Sequence, residues 1–210
     1  MQDVYRVMAR VAATDLPVLV EGEPGVGKTR VAQALHQFGK RKDGKFKLVS
    51  VAGASDYALG EILAAEDVTA ADTLAIADID DLPADGQARL VRWLMQRDDQ
   101  IPANQRLICM SQRPLGALAA AGQFRQDLYF RLSVVVMALP PLRERLDDIG
   151  DLARAFLVRL RKSGAQDKTL EPAAIEALKR HSWPGNVREL ENFLRRLVAL
   201  RPQASIDADV

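Results

Sequence analysis

The chain carries the sequence LPVLVEGEPGVGKTRVAQALHQ at residues 16–37, and its centre, GEPGVGKT at 22–29, decides the class of fold. The apolar run at 18–20 predicts a buried strand, and residues 29–37 have helical spacing. A G-x-x-x-x-G-K-[S/T] pattern between a strand and a helix is typical of a loop that binds phosphate. A glycine-rich turn that binds nothing is the alternative, and the strand and helix on either side argue against it.

The residue types in this loop match what binding of a phosphate chain requires. Glycines allow backbone N–H groups to turn inward around phosphate oxygens, and the N-terminus of the following helix adds the positive end of its dipole. Lys28 supplies a positive charge to the outer phosphates, and the Thr29 hydroxyl is a ligand for Mg²⁺. The residues predicted to bind the nucleotide are Gly22, Glu23, Pro24, Gly25, Val26, Gly27, Lys28 and Thr29.

The composition shows no strong electrostatic bias. The 210 residues include 29 Lys and Arg against 28 Asp and Glu, a net charge of +1, which gives no global attraction to nucleic acid or an anionic membrane. The single cysteine, Cys109, excludes an internal disulfide, and with only two histidines it cannot form a zinc cluster. No apolar stretch reaches the length of a membrane span, so we expect a cytoplasmic protein with no membrane partner.

The neutral total hides an uneven distribution of charge along the chain. The charged residues at 38–47 are Lys or Arg except for Asp43, whereas residues 48–88 contain no Lys or Arg. The acidic residues of this second stretch are Asp56, Glu61, Glu66, Asp67, Asp72, Asp78, Asp80, Asp81 and Asp85. A block of one sign in the middle of a domain requires an explanation in terms of function.

Apolar runs alternate with segments of helical spacing over the first two thirds of the chain. Strands are predicted at 18–20, 46–51, 74–79, 106–110 and 134–138. The alternation favours an α/β fold with a parallel five-stranded sheet covered on both faces. No strand pattern follows Pro141, so an α/β part extends to about residue 140 and a helical part follows it. Asn186 and Glu189 predict a cap at the start of the last helix.

Three strings together carry a resemblance to a known family. They are AATDLPVLVEGEPGVGKTRVAQALH at 12–36, LYFRLSVVVMALPPLRERLDDI at 128–149 and WPGNVRELENFLRRLV at 183–198. Over most of the chain they resemble the central AAA+ domain of bacterial enhancer-binding transcription regulators, the NtrC-type activators of sigma-54 RNA polymerase. The resemblance implies a P-loop AAA+ nucleotide-binding subdomain at 1–140 and a small α-helical lid subdomain at 141–210.

The same resemblance implies partners and a cofactor. It implies assembly with copies of itself, from a dimer to a hexameric ring, with ATP and Mg²⁺ bound between subunits. RNA polymerase would be contacted through the full-length regulator. DNA would be bound only through a domain outside this chain, which we expect beyond Val210, with a receiver or sensory domain before Met1. We therefore expect the chain to be an excised part of a longer protein.

Three arginines match family positions that contact nucleotide. Arg125 and Arg131 fall on the arginine-finger positions, which would reach a neighbour's nucleotide and stabilise charge on its γ-phosphate. The alternative is a local pair between Asp127 and Arg131, four residues apart on a helix. Arg188 falls on the sensor II position, where an arginine in the first turn opposes the helix dipole unless it faces a phosphate. A surface pair with Glu191 is the alternative for Arg188.

The chain departs from the family at the Walker B strand, which normally ends in an Asp-Glu pair. One alignment places Ala77 and Asp78 on this pair, so the carboxylate that binds Mg²⁺ is missing and Asp78 takes the place of the glutamate that polarises water. The other alignment makes Asp78 the metal ligand and puts Ile79 where the base should be. Asp80 and Asp81 lie further along the predicted strand, whose alternating faces argue against a substitute role. Either way one carboxylate is lost.

Two further departures concern γ-phosphate sensing and sigma-54. The family ends its fourth strand in Thr-Asn at sensor I, and this chain has Ser111 and Gln112, whose amide lies one carbon further out. The family also inserts a long loop with a GAFTGA signature that touches sigma-54. Here roughly two dozen residues at 51–72 replace it without the signature, and the second pore loop at 97–106 is short.

These losses favour a regulatory AAA+ module that binds ATP, hydrolyses it slowly or not at all, and acts without remodelling sigma-54. One alternative is an active ATPase in which Asp78 and a neighbour share the work of a rearranged Walker B pair. The other alternative is a nucleotide-independent oligomerisation module.

Overall fold

The computed structural model describes residues 2–98, 105–200, 203 and 205–207. The shortened pore loop predicted at 97–106 lies mostly outside the described residues. The chain folds as two compact units, and the boundary between them cuts the glycine-rich loop. One unit contains the residues up to Gly22 together with Lys28–Leu139, and the other contains Glu23–Gly27 together with the chain from Pro140 onward.

A parallel five-stranded sheet forms the centre of the first unit and confirms the predicted fold class. Its strands are β1 Val18–Glu21, β2 Phe46–Ser50, β3 Thr73–Ala77, β4 Arg106–Ser111 and β5 Val135–Ala138. They lie in the order β2-β3-β4-β1-β5, and every neighbouring pair is parallel. Glu21 is in register with Ser111, and Ser50 with Ala77, so the carboxyl ends of these strands meet at one edge.

Helices precede the first strand and connect the others. They are α1 Gln2–Ala12, α2 Lys28–Gln37, α3 Asp56–Ala64, α4 Glu66–Thr69, α5 Ala84–Asp98, α6 Leu115–Ala120 and α7 Gln126–Leu132. The sheet and its helices bury a common apolar core that includes Leu19, Ile76, Leu90 and Cys109. β1, β3 and β4 are almost fully buried, which explains their continuous apolar runs in the sequence, whereas β2 and β5 are partly exposed. The acid-only stretch folds mainly as α3, α4 and β3.

The third strand is shorter than predicted. It ends at Ala77, Asp78 adopts a left-handed backbone conformation with φ 61°, and Ile79–Asp81 form a 3₁₀ turn. The prediction failed because Ile79 is apolar and fully buried, as a strand residue would be, although the turn buries it. The alternation argument that set Asp80 and Asp81 aside therefore does not apply.

A buried arginine ties two helices to the sheet. Arg106, at the start of β4, is 2% exposed. Its guanidinium donates hydrogen bonds to the carbonyl oxygens of Val11 (2.9 Å), Ala12 (3.3 Å) and Leu35 (2.9 Å). These carbonyls lie in the last turns of α1 and α2, where a positive charge is also stabilised by the negative end of each helix dipole. Burial lowers the pKa of Arg106 from its ordinary value.

The second unit is mostly helical. It contains α8 Asp148–Lys162, α9 Pro172–Lys179 and α10 Asn186–Leu200 around a core in which the Trp183 indole donates to the Leu178 carbonyl at 2.8 Å. It also contains two short parallel strands, β6 Thr169–Leu170 and β7 Ser205–Ile206, which contradict the expectation of no strand after Pro141. Two residues are too few to produce an alternating pattern. Among the described residues, no helix is long and apolar enough to cross a membrane.

Candidate phosphate-binding site

The ends of the GEPGVGKT loop are held by the sheet unit. The Gly22 N–H donates to the Ser111 carbonyl at the end of β4 (3.2 Å). Lys28 is the first residue of α2, and its ammonium group donates back to the Gly22 carbonyl. Thr29 is the second residue of α2. This arrangement puts a cation and a hydroxyl at the start of a helix, where the dipole also favours an anion.

The tip of the loop, Glu23–Gly27, belongs to the other unit. Glu23 accepts two hydrogen bonds from the Arg143 guanidinium, at 2.7 and 2.9 Å, and a third from the Asn186 amide at 3.0 Å. The bond from Arg143, followed by that from Asn186, lowers the pKa of Glu23 to about 2. Bidentate pairing of a guanidinium with a carboxylate fixes orientation as well as charge. The second residue of the loop is therefore anchored as an anion.

Lowering the pH should reduce the contribution of the Glu23 carboxylate to the stability of the fold. Above the ordinary pKa of 4.5 Glu23 is ionised in both the folded and unfolded states, so its full contribution to stability is present. Between 4.5 and about 2 the unfolded chain binds a proton that the folded chain does not, and stability falls. We expect Glu23→Gln to be less stable than the wild type at pH 7, with a difference that shrinks as the pH falls through this window.

Urea unfolding of both proteins at pH 7, 4 and 3 measures this difference. Glu61→Gln, at an exposed site on α3, is the control and should change stability little at pH 7. A wild-type advantage over Glu23→Gln that stays constant down to pH 3 would contradict the assignment of the shifted carboxyl.

Asp78 lies at the end of β3, and both of its carboxylate oxygens accept a hydrogen bond. The Ser50 hydroxyl, at the end of β2, donates to Oδ2 at 2.6 Å. The Gln112 amide, just after β4, donates to Oδ1 at 3.1 Å. Ala77, its neighbour in the chain, offers no polar side chain. The structure thus brings two of the predicted site residues, Asp78 and Gln112, together.

Asp80 is the most buried carboxylate at this edge of the sheet, with a side chain that is 1% exposed. It accepts hydrogen bonds from the Gln112 N–H (3.0 Å) and from Nε of Arg113 (3.1 Å). Burial opposes ionisation of Asp80, but these hydrogen bonds outweigh it and hold its pKa below the ordinary value. Asp80 therefore fixes the backbone from which the Gln112 side chain projects toward Asp78.

The carboxylate of Glu21 lies beside the start of the loop. Glu21 is the last residue of β1, and its carboxylate accepts a hydrogen bond from the Leu115 N–H at 2.7 Å. Burial raises the pKa of Glu21 despite this bond, and the charge of Asp80 adds to the increase.

The three arginines taken from family positions are exposed or half-buried in this structure. Arg125 forms a bidentate pair with Asp127, at 2.7 and 3.0 Å, just before and within the first turn of α7. Arg131 lies in the last turn of the same helix. The Arg188 side chain is exposed, and the carboxylate of Glu191, its alternative partner, accepts a hydrogen bond from Arg159 at 2.6 Å.

The expected cap of the last helix differs from the prediction. Glu189 accepts a hydrogen bond from the N–H of Gly185 (2.8 Å), one residue before Asn186, the residue predicted to pair with it in the cap. Asn186 has a left-handed backbone with φ 55°, and its side chain binds the loop tip and the Leu142 N–H. Sequence reasoning missed Asn186, Arg143 and Ser50 as site residues. The strings LPPLRER and WPGNVREL contain two of them, but carried no signal of this contact.

Comparisons with known proteins agree with the fold. Residues 1–142 match the model of the Sigma-54 interaction domain, and residues 143–210 match that of the AAA+ ATPase lid domain. The DNA-binding transcriptional regulator NtrC of Bradyrhizobium sp. (strain RP501 Parasponia) is 42% identical over 237 aligned residues, covering 100% of this chain and 48% of the relative. NtrC of Escherichia coli (strain K12) is 37% identical over 226 residues, covering 95% and 48%.

Solved structures of related regulators have a similar fold. NtrX from Brucella abortus in complex with ADP matches with a TM-score of 0.84 and 28% identity, over 99% of this chain and 52% of that one. The structure of its complex with ATP matches with a TM-score of 0.80 and 28% identity, over 100% of this chain and 54% of that one. The chain spans about half the length of the relatives that it matches.

The parallel five-stranded sheet, the similarity to the NtrX structures and the match to the AAA+ ATPase lid domain together show that the chain has the P-loop AAA+ fold. The chain belongs to the Sigma-54 interaction domain family, and it is similar throughout its length to the AAA+ domain of NtrC-type transcription regulators.

Proposed function

We propose that this chain is the ATP-binding regulatory and oligomerisation domain of an NtrC-type transcription regulator, with slow or no hydrolysis and no remodelling of sigma-54. The observation that carries the proposal is the carboxyl end of β3, where Asp78, with a hydrogen bond to each carboxylate oxygen, stands between Ala77 and the buried Ile79, so either alignment with the family's acidic pair leaves one carboxylate. Nucleotide binding is supported by the loop itself and by the relatives crystallised with ADP and ATP.

Slow hydrolysis follows from the roles that Asp78 would have to fill. Phosphoryl transfer needs a group that orients the attacking water and groups that neutralise charge on the phosphate. Asp78 can supply one carboxylate, and the hydroxyl of Ser50 and the amide of Gln112 already hold both of its oxygens. Misplacing or losing a catalytic group costs orders of magnitude in rate. The domain would then retain bound ATP rather than turn it over.

Mg²⁺ is the metal that this class of site implies, and Thr29 and Asp78 are the residues that would hold it. Mg²⁺ in proteins is usually bound by one or two carboxylates together with substrate phosphates. Thr29 offers a hydroxyl, and Asp78 offers one carboxylate whose oxygens each accept a single hydrogen bond, from Ser50 and Gln112. The carboxylate of Asp80 is held by Gln112 and Arg113 instead. Within the described ranges, no three His, Cys, Asp or Glu side chains group together as a metal site. No step of the proposed function depends on the metal.

Independence from sigma-54 remodelling is supported by the length of the chain. The alignments with the full-coverage NtrC relatives span 237 positions, 27 more than the 210 residues of this chain. The stretch at 51–72, where the family carries its sigma-54 loop, instead folds into α3 and α4 with no GAFTGA signature. The longer regulator would still contact RNA polymerase, and DNA through a domain outside this chain.

Assembly into a dimer or ring is the remaining part of the proposal. Arg125 and Arg131 would reach the nucleotide of a neighbouring subunit, as the family resemblance implies. Arg125 lies opposite Asp127, so its side chain would exchange a carboxylate for a phosphate when subunits meet. Bound ATP would then favour the assembled state, and Arg188 would complete the site as sensor II.

A steady-state ATPase assay tests the absence of turnover. We expect the wild-type rate to lie within about twofold of the background set by Lys28→Ala, since a required carboxylate is absent. Ala77→Asp combined with Asp78→Glu, which restores the acidic pair, should raise the rate at least ~10-fold. Robust wild-type turnover that Asp78→Asn abolishes would establish the alternative, an active ATPase with a rearranged Walker B pair.

A further inference from the structure

Three consecutive carbonyl groups at the tip of the phosphate loop accept hydrogen bonds from the segment after residue 140. The Asn186 amide donates to the Pro24 carbonyl at 3.1 Å. The Arg188 backbone N–H donates to the Gly25 carbonyl at 3.2 Å. Nη2 of Arg145 donates to the Val26 carbonyl at 2.9 Å. All of these residues belong to the same compact unit.

These bonds determine where the N–H groups of the loop point. In a planar trans peptide the C=O and the following N–H point in opposite directions. Fixing the carbonyls of Pro24 and Val26 therefore directs the N–H groups of Gly25 and Gly27 to the opposite side of the loop. The N–H between them, on Val26, closes a turn to the Glu23 carbonyl at 3.3 Å. Inward N–H groups of this kind are what a phosphate loop uses to bind oxygens.

Asn186 is itself fixed in place, so it can hold the Pro24 carbonyl in one orientation. Its side chain is fully buried, its oxygen accepts from the Leu142 N–H at 2.8 Å, and its nitrogen donates to Glu23 and Pro24. Its backbone is left-handed (φ 55°), a conformation that asparagine adopts more readily than most other non-glycine residues.

We propose that Asn186 and Arg145 are positioning residues for the phosphate chain of a nucleoside di- or triphosphate. They orient the N–H groups of Gly25 and Gly27 without touching the ligand. The affinity for phosphate is therefore set by residues of the helical segment as well as by the loop. This inference rests on the proposed function, because it assumes that the loop binds a nucleotide.

The test compares ligands with and without phosphates. Calorimetry measures dissociation constants of wild type, Arg145→Ala and Asn186→Ala for ATP and ADP, and competition gives that for adenosine. We expect each substitution to weaken ATP and ADP about 10-fold, as for one misdirected hydrogen bond to a charged group, and adenosine less than twofold. Arg180→Ala, on the surface of the same unit, is the matched control and should bind all three ligands as the wild type does.

The outcomes separate the two proposals. Equal affinity of Arg145→Ala and wild type for ATP overturns the positioning role while leaving the proposed function in place. Equal weakening of ATP and adenosine also overturns it, because general loosening of the domain explains that result. If Asn186→Ala fails to fold, Arg145→Ala decides alone, since its side chain is only partly buried. A wild type that binds neither ATP nor ADP overturns the proposed function and this inference with it.

Discussion

Lys28→Ala is expected to weaken ATP binding at least ~100-fold while the domain stays folded. The ammonium group of Lys28 sits at the start of α2 and is already held to the Gly22 carbonyl, so it is oriented before a ligand arrives. A hydrogen bond to a charged group contributes about 1.5–3 kcal/mol, and a charge opposite a polyphosphate adds to that. A difference of about 2.8 kcal/mol corresponds to the ~100-fold change.

Thermal unfolding with and without ligand, followed by calorimetry, measures this effect. A ligand that binds only the native state raises Tm in proportion to ln(1 + [L]/Kd). ATP and ADP should therefore raise the Tm of the wild type and of Lys42→Ala, an exposed lysine control, but not that of Lys28→Ala. Wild-type affinity in Lys28→Ala would show that the loop is not the site. A wild type that neither nucleotide stabilises would establish the nucleotide-independent oligomerisation module.

Arg106→Ala is expected to lower the free energy of unfolding by about 3–5 kcal/mol. The substitution leaves the carbonyls of Ala12 and Leu35 without their buried donor, whereas the Val11 carbonyl keeps its hydrogen bonds from Thr14. Each unsatisfied buried acceptor costs about 1–3 kcal/mol, reduced where water enters the cavity. The loss also detaches the ends of α1 and α2 from β4. Few single substitutions exceed this range, and broken buried networks are among those that do.

Urea unfolding monitored by circular dichroism measures the loss. Arg92→Ala is the matched control, because Arg92 is 58% exposed and pairs with Asp56 at the surface. Exposed pairs of this kind contribute about 0–1 kcal/mol. A loss below about 1 kcal/mol for Arg106→Ala, similar to the control, would contradict a structural role for the buried guanidinium.

Local signals made much of the fold predictable. The glycine-rich loop and the five strands of the large sheet follow from patterns within a few residues, and the structure contains all five strands. The 3₁₀ turn after Ala77 did not follow, because a left-handed aspartate and a buried isoleucine look like the continuation of a strand. The two-residue strands β6 and β7 did not follow either, since their pairing joins Thr169 to Ser205 across both α9 and α10.

The candidate site divides in the same way. The loop residues are contiguous and could be named from the sequence alone. The partners that hold them could not, because Arg143 lies 120 residues from Glu23 and Asn186 lies 163 residues from it. Ser50 was missed for a related reason. A serine at the end of a strand carries no signal until the register of β2 and β3 places it beside Asp78, 28 residues further along.

The close approach of Gly25 to Gly185 limits how domains of this family could be recombined. A side chain at 25 would place its first carbon 2.3 Å from the Gly185 carbonyl oxygen. The loop tip also carries its hydrogen-bond partners from the segment after residue 140. A chimaera that takes its sheet from one relative and its lid from another should therefore take residues 23–27 from the donor of the lid. In this protein the segment that must be exchanged together with the lid therefore includes five residues from the middle of the phosphate loop.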